Sequence, residues 1–391
     1  MEIKKKSAVL ATGFAMFSMF FGAGNVVFPL AIGQETGNLN FYAICGLLIS
    51  AVGIPLLGLI SATLFNGNYK HYFERIGKVP GFLVALFIMG LIGPFGAMPR
   101  LITVAHSTFA YYWTGVPFVL FSLVSCAIVF ALTFKKNKIV DILGYYLTPI
   151  LLFALVVIIV LGLASASPAA ESVLTAGEAF LDGLETGYST MDLLATFFFS
   201  SVVLSCLEST EIEKGHRKDF RNVIFMTLKA SVIGMGLLAL IYIGFSYVAA
   251  FHSEGLEGLG RDQLLGAISV QMLGPNAGII AIIAVSMACL TTAIALAAVF
   301  SEFLHNDITM GKLPYIPSLI ITLVVAFLVS TLRFGGIAAF LEPILIISYP
   351  ALIVLAILNI GHKMAHINVV KTPVAVTFLI SLGVYAYQTF G

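Results

Sequence analysis

Apolar residues in this chain come in long uncharged runs divided by short polar links. Runs near 7–33, 39–64, 80–112, 115–134, 138–164, 189–209, 220–251, 275–304, 313–332, 338–360 and 370–390 predict about eleven helices, at roughly twenty residues for each bilayer crossing. The first run carries the most information. Residues 7–33 hold no charge, yet Gly22, Gly24, Asn25 and Pro29 interrupt their middle. Backbone opened at that depth survives only where protein buries it or where it lines a wet cavity. Its N–H and C=O groups then become ligands for a small zwitterion or a bare cation. A small-residue patch for close helix packing is the simpler alternative, but the asparagine and proline beside the glycines favour transport over anchoring.

Basic residues give the topology. Lys4, Lys5 and Lys6, then Lys70, Arg75 and Lys78, then Lys135, Lys136 and Lys138, then Lys214, Arg217, Lys218 and Arg221 mark alternate links, continued by Lys312, Lys363 and Lys371. The opposite links hold only Arg261 and Arg333. Excess positive charge stays cytoplasmic, so the N-terminus is expected inside and an eleventh span leaves the C-terminus outside. All of 1–391 reads as a single transmembrane transporter domain. Helices one to five (about 7–164) form one unit; an odd number of spans inverts the next unit (about 189–360), and a helix at about 370–390 is extra. The acidic link 165–188, with Ala179, Phe180, Leu181 and Leu184 at helical spacing, predicts a short amphipathic helix on the membrane surface. The glycine-rich link 252–274 is expected to cap an outer vestibule.

Composition agrees with an integral membrane protein: 60% hydrophobic and 10% charged residues, with a mean hydropathy of +1.05. A net charge of +1, sorted by membrane side, gives no reason to expect a nucleic-acid partner. Cys45, Cys126, Cys206 and Cys289 each stand alone in an apolar segment and read as small hydrophobes. No phosphate loop, paired carboxylates or nucleophile–histidine arrangement marks an enzyme. Neither an organic cofactor nor an obligatory protein partner is implied; the lipid bilayer is the surrounding medium.

Candidate chemistry lies inside the helices. Backbone amides at Gly22, Ala23, Gly24 and Asn25 open a second half-helix whose N-terminus favours a carboxylate. Carbonyls ending the first half are left for a cation. Thr291 and Thr292 offer adjacent hard oxygen donors in helix eight, unless each merely bonds its own backbone one turn earlier. Arg100 follows Pro94 and Pro99 in helix three; carbonyls released by the prolines can serve it, and a gate or interhelical clamp is favoured over direct substrate contact. Phe197, Phe198, Phe199 and Ser200 would form an aromatic wall with polar support, or else face lipid. With neither glycine nor proline there, no break is written plainly into helix six. Asp192 reads as the anion of a helix start. Glu342, before Pro343, is an acid for gating, proton coupling or pairing with an arginine, or an ordinary interfacial carboxylate.

The strings Phe20-Phe21-Gly22-Ala23-Gly24-Asn25…Phe28-Pro29, Gly93-Pro94-Phe95-Gly96-Ala97-Met98-Pro99-Arg100, Gly187-Tyr188-Ser189-Thr190-Met191-Asp192, Cys289-Leu290-Thr291-Thr292 and Glu342-Pro343 carry a resemblance. The chain resembles the bacterial branched-chain amino acid carrier family, the sodium-coupled Leu/Ile/Val cation symporters. That resemblance implies an all-α polytopic protein of the LeuT-type fold, with a five-plus-five inverted repeat, in the bacterial cytoplasmic (inner) membrane. It implies that the amides of Gly22, Ala23, Gly24 and Asn25 hold the substrate carboxylate. Carbonyls near Phe197, Phe198, Phe199 and Ser200 would hold its ammonium. Na+ would lie among the carbonyls of Ser18, Phe21 and Ala288 and the hydroxyls of Thr291 and Thr292. Two departures stand out: Ser200 replaces a frequent glycine, and eleven spans replace the usual twelve. The rival readings are a proton-coupled carrier of another small neutral amino acid and a non-transporting amino acid sensor.

Overall fold

The computed structural model describes residues 2–113, 115–134, 146–213, 220–253, 256, 258–273 and 278–390. Lys135, Lys136, Lys138, Lys214, Arg217, Lys218 and the start of the fifth run lie outside them, as does part of the 252–274 link. The described residues are helical with no strand. Helix α1 (Glu2–Phe20) and α2 (Ala23–Thr36) come first, followed by α3 (Asn40–Leu48) and α4 (Ile54–Leu64), which a π turn joins. Next are α5 (Tyr69–Glu74), α6 (Lys78–Ile92), α7 (Ala97–Tyr112), α8 (Phe118–Thr133) and α9 (Thr148–Ala164). The rest are α10 (Ala176–Tyr188), α11 (Asp192–Glu213), α12 (Phe220–Phe251), α13 (Leu264–Leu273), α14 (Gly278–Phe303), α15 (Tyr315–Ser330), α16 (Arg333–Ala365) and α17 (Lys371–Phe390). Helix α17 stands where the extra C-terminal helix is expected.

Among the described residues five helical stretches, Lys78–Tyr112 and Arg333–Ala365 among them, are long and apolar enough to cross a bilayer, or six if one bent pair counts as a span. Other runs form shorter apolar helices such as Phe118–Thr133 and Tyr315–Ser330, so helix length does not fix the number at eleven. Large apolar side chains such as Phe153, Val160 and Leu379 stand exposed on the outside, as a lipid-facing surface requires.

The densest packing falls into two groups, which also touch through α9 with α12 and α1 with α14. One group joins α12 to α1 and α2, α11 to α4, and α10 to α3; the other joins α14 to α7, α8, α9 and α15. The short helix expected within 165–188 is present as α10, and one face of it packs on α3. Gly183 and Gly187, one helical turn apart, let α10 press directly onto α3 and the π turn. A Cβ at Gly183 would lie 1.9 Å from the Ala43 carbonyl oxygen, and one at Gly187 would lie 1.9 Å from Ser50 Oγ. Small residues at this spacing bring backbones together in an apolar medium. Helix α10 meets α11 at 42° across a short break.

Candidate functional site

The first run breaks where its glycines stand. Helix α1 ends at Phe20, and Gly22 caps α2 in an extended conformation. The Gly22 amide donates to Asn25 Oδ1 at 3.0 Å, and the first bond of the new helix runs from Val26 N to Gly22 O at 3.2 Å. The amides of Ala23, Gly24 and Asn25 therefore have no intrahelical acceptor. A Cβ on Gly24 would sit 3.2 Å from Thr190 Cα. Glycine lets this turn approach the second break without displacing it.

That second break comprises residues 189–191, between α10 and α11. Met191 holds φ at +67°, a left-handed conformation that a large side chain rarely adopts and that neighbours must enforce. The break thus lies N-terminal to the position expected from the phenylalanines. Phe197, Phe198, Phe199 and Ser200 continue α11 instead of opening their carbonyls: the Ser200 hydroxyl donates to Phe197 O at 3.3 Å. All three rings are buried, so they do not face lipid. Phe197 and Phe198 pack against Tyr72, Phe73 and Tyr69. Phe199 alone of the four reaches the central cavity, edge-on to Phe20 at 5.2 Å between centroids.

The two breaks face each other across an internal cavity of about 30 Å³. Its polar walls include Asn25, Arg100, Thr190, Asp192 and Thr292; Phe20, Ile92, Leu101, Phe199 and Leu296 supply an apolar side. A water needs about 10–15 Å³ on this measure, so an amino acid enters only when the walls part. Asn25 Nδ2 donates to Asp192 Oδ2 at 2.7 Å and also to the Tyr242 hydroxyl, which itself donates to Asp192 Oδ2 at 3.0 Å. Asp192 begins α11, as a helix-start anion should, but it also faces the cavity at 2% exposure. Sequence reasoning missed that second property, and Tyr242 entirely. Their partner Asn25 lies 167 and 217 residues away.

Arg100 is 2% exposed on the same cavity. Its Nη2 donates to the Ser189 carbonyl at 3.0 Å, and its guanidinium lies 5.7 Å from the Phe28 ring centroid. The serving carbonyl comes from the second helix break; among the described residues none from its own proline-bearing helix does this. Pro94 instead lies in the turn 93–96 that separates α6 from α7. Glu342 is exposed within α16 and forms no ion pair among the described residues. It reaches neither the cavity nor an arginine.

Ser18, Phe21, Ala288, Thr291 and Thr292 are buried where α1 meets α14. The Gly22 amide has turned to Asn25, and the Ser18 carbonyl receives the Thr292 hydroxyl at 3.1 Å. Thr291 donates to Ala288 O at 3.0 Å, within its own helix. The pair thus divides: one hydroxyl crosses to the opened helix and the other bonds locally. Uncharged carbonyl and hydroxyl oxygens of this kind are the donor type that a monovalent hard cation takes.

Ion pairs close either end of α3–α4. Arg261 meets Glu35 at 3.1 Å near the end of α2. Beyond α4, Lys70 and Tyr69 both hold Asp307.

Residues 5–389 match the family described as branched-chain amino acid transport protein. The branched-chain amino acid permease BrnQ of Corynebacterium glutamicum is 32% identical over 358 residues, covering 91% of this chain and 81% of its own. BraB of Bacillus subtilis, also a branched-chain amino acid permease, is 32% identical over 367 residues, covering 90% and 79%. The crystal structure of MhsT in complex with L-phenylalanine superposes with a TM-score of 0.62 at 15% identity, covering 95% of this chain and 97% of that one. The chain belongs to the branched-chain amino acid transport protein family, multi-pass membrane transporters rather than enzymes, and has the LeuT-type fold.

Proposed function

We propose that this protein imports leucine, isoleucine or valine across the bacterial cytoplasmic membrane together with sodium, by alternating access. One observation carries the reading: two broken helices point unpaired backbone and buried polar side chains into one central cavity. The free amides at the start of α2 are placed for a carboxylate, since a helix N-terminus offers both donors and a favourable dipole. Phe20, Ile92, Leu101, Phe199 and Leu296 line the side where an aliphatic side chain would lie. A methylene is worth only about 1–3 kcal/mol in such a wall, so discrimination among the three amino acids is loose.

Sodium belongs among Ser18, Phe21, Ala288, Thr291 and Thr292, where it would tie the opened end of α1 to α14. Binding there favours one arrangement of the two helix groups and so links ion and substrate thermodynamically. The group containing α1–α4 and α10–α12 would rock against the group containing α7–α9, α14 and α15. Breaking Arg261–Glu35 or the Asp307 contacts would open one side at a time. On this reading α1–α9 form the first repeat, α10 opens the second, and α17 is extra. The N-terminus is cytoplasmic and the C-terminus outside.

Labelled leucine uptake into proteoliposomes tests the proposal. An inward sodium gradient should drive accumulation, and choline in its place should abolish it. Undiminished uptake would remove sodium and favour the proton-coupled alternative, for which Asp192 in the cavity wall is the motivating group. Binding without accumulation under any ion gradient would make the protein a sensor.

A further inference from the structure

Two buried groups of opposite charge type line the cavity without meeting in a direct ion pair. Arg100 and Asp192 are each 2% exposed and both line it. Among the described residues no carboxylate lies within 4.0 Å of Arg100, and no basic group lies that close to Asp192. Arg100 Nη2 is held by the Ser189 carbonyl, while Nε is buried with no hydrogen-bond partner. Asp192 receives two neutral donors, Asn25 and Tyr242, on Oδ2, and the Thr190 hydroxyl stands beside the same carboxylate. A carboxylate offers about four lone-pair sites, so it has capacity beyond these.

A buried charge without a direct counter-ion is expensive inside a membrane protein and marks a functional site. Packing puts the two groups around one turn of α2: Arg100 lies over Phe28, whose ring also meets the space beside Gly24, and Asp192 is tied to Asn25. An amino acid is a zwitterion whose charges are fixed a short distance apart. Placed between these groups it satisfies both at once, and neither an amine nor a fatty acid of the same shape does.

Accepting the transport reading above, we infer that Arg100 and Asp192 form a zwitterion clamp. Arg100 joins the α2 amides in binding the α-carboxylate, and Asp192 accepts the α-ammonium. This gives Arg100 a substrate contact beyond its clamp on the helix-six break. It also replaces the phenylalanine-segment carbonyls as ammonium acceptor with a side chain at the break itself.

The test is titration of the purified full chain with leucine, leucinamide (ammonium but no carboxylate) and 4-methylpentanoate (carboxylate but no ammonium). The wild type should bind each analogue about 10- to 100-fold more weakly than leucine, the range for losing a hydrogen bond to a charged group. In Asp192→Asn the preference for leucine over 4-methylpentanoate should shrink at least tenfold, with its preference over leucinamide retained. In Arg100→Gln the pattern should reverse. These are affinity ratios within one preparation, so partial unfolding cancels. Wild-type ratios in either variant overturn the clamp. If no branched-chain amino acid binds the wild type, the transport reading fails. The clamp is then judged on whichever amino acid a full panel shows to bind, with its own amide and deaminated analogue, and is overturned if none binds.

Discussion

Replacing Thr292 with valine probes the link between α1 and α14 with little change in shape. Thr292 is buried and its hydroxyl donates to the Ser18 carbonyl at 3.1 Å. In the ion-free state the variant loses one neutral hydrogen bond, a net of about 0.5–1.5 kcal/mol. In the sodium-bound state the hydroxyl turns its lone pairs to the ion, an interaction of the charged class worth roughly 1.5–3 kcal/mol. The two losses oppose each other in the binding equilibrium. Their difference, about 1–1.5 kcal/mol, raises half-saturating sodium roughly five- to tenfold. Sodium-dependent leucine uptake into proteoliposomes measures this directly. Thr292→Ser keeps the hydroxyl and should remain within about twofold of wild type by the same accounting. Sodium dependence unaltered in Thr292→Val would show that the ion binds elsewhere.

Other substitutions address the remaining contacts. Gly24→Ala puts a Cβ 3.2 Å from Thr190 backbone, so leucine affinity should fall, and Gly24→Leu should abolish binding; normal calorimetric affinity in the leucine variant would reject the placement. Gly187→Leu drives a side chain into Ser50, whose Oγ lies 1.9 Å from the Cβ position, and overpacking of this kind costs about 1–3 kcal/mol or more. A thermal melting midpoint equal to wild type would contradict the α10–α3 contact. Phe199→Ala removes a cavity wall and should admit phenylalanine as a competitor of leucine uptake; an unchanged competition profile would exclude Phe199 from the selective surface. Arg261→Gln removes an ion pair with both partners partly exposed, so stability should change by no more than about 1 kcal/mol. Its effect should appear in transport rate, and an unchanged rate would deny the pair a gating role.

The break in the first helix was legible because glycine, asparagine and proline announce it locally. So was the all-helical class, since the long apolar runs report burial, although the run 80–112 proves to be two helices. The break in helix six was not. Residues 189–191 contain neither glycine nor proline, and the packing of α10 on α3 through Gly183 and Gly187 is visible only in the folded chain. Thr291 and Thr292 look equivalent in sequence, yet only Thr292 reaches the opened end of α1. Asp192 could be recognised as a helix-start anion. Its place in the cavity depends on Asn25 and Tyr242, far away in the chain. Periodicity and backbone chemistry act between near neighbours, so the sequence alone determined the all-helical class and the first opening. Which buried charges and hydroxyls share one cavity is set by interhelical packing over hundreds of residues, and only the tertiary structure decided that.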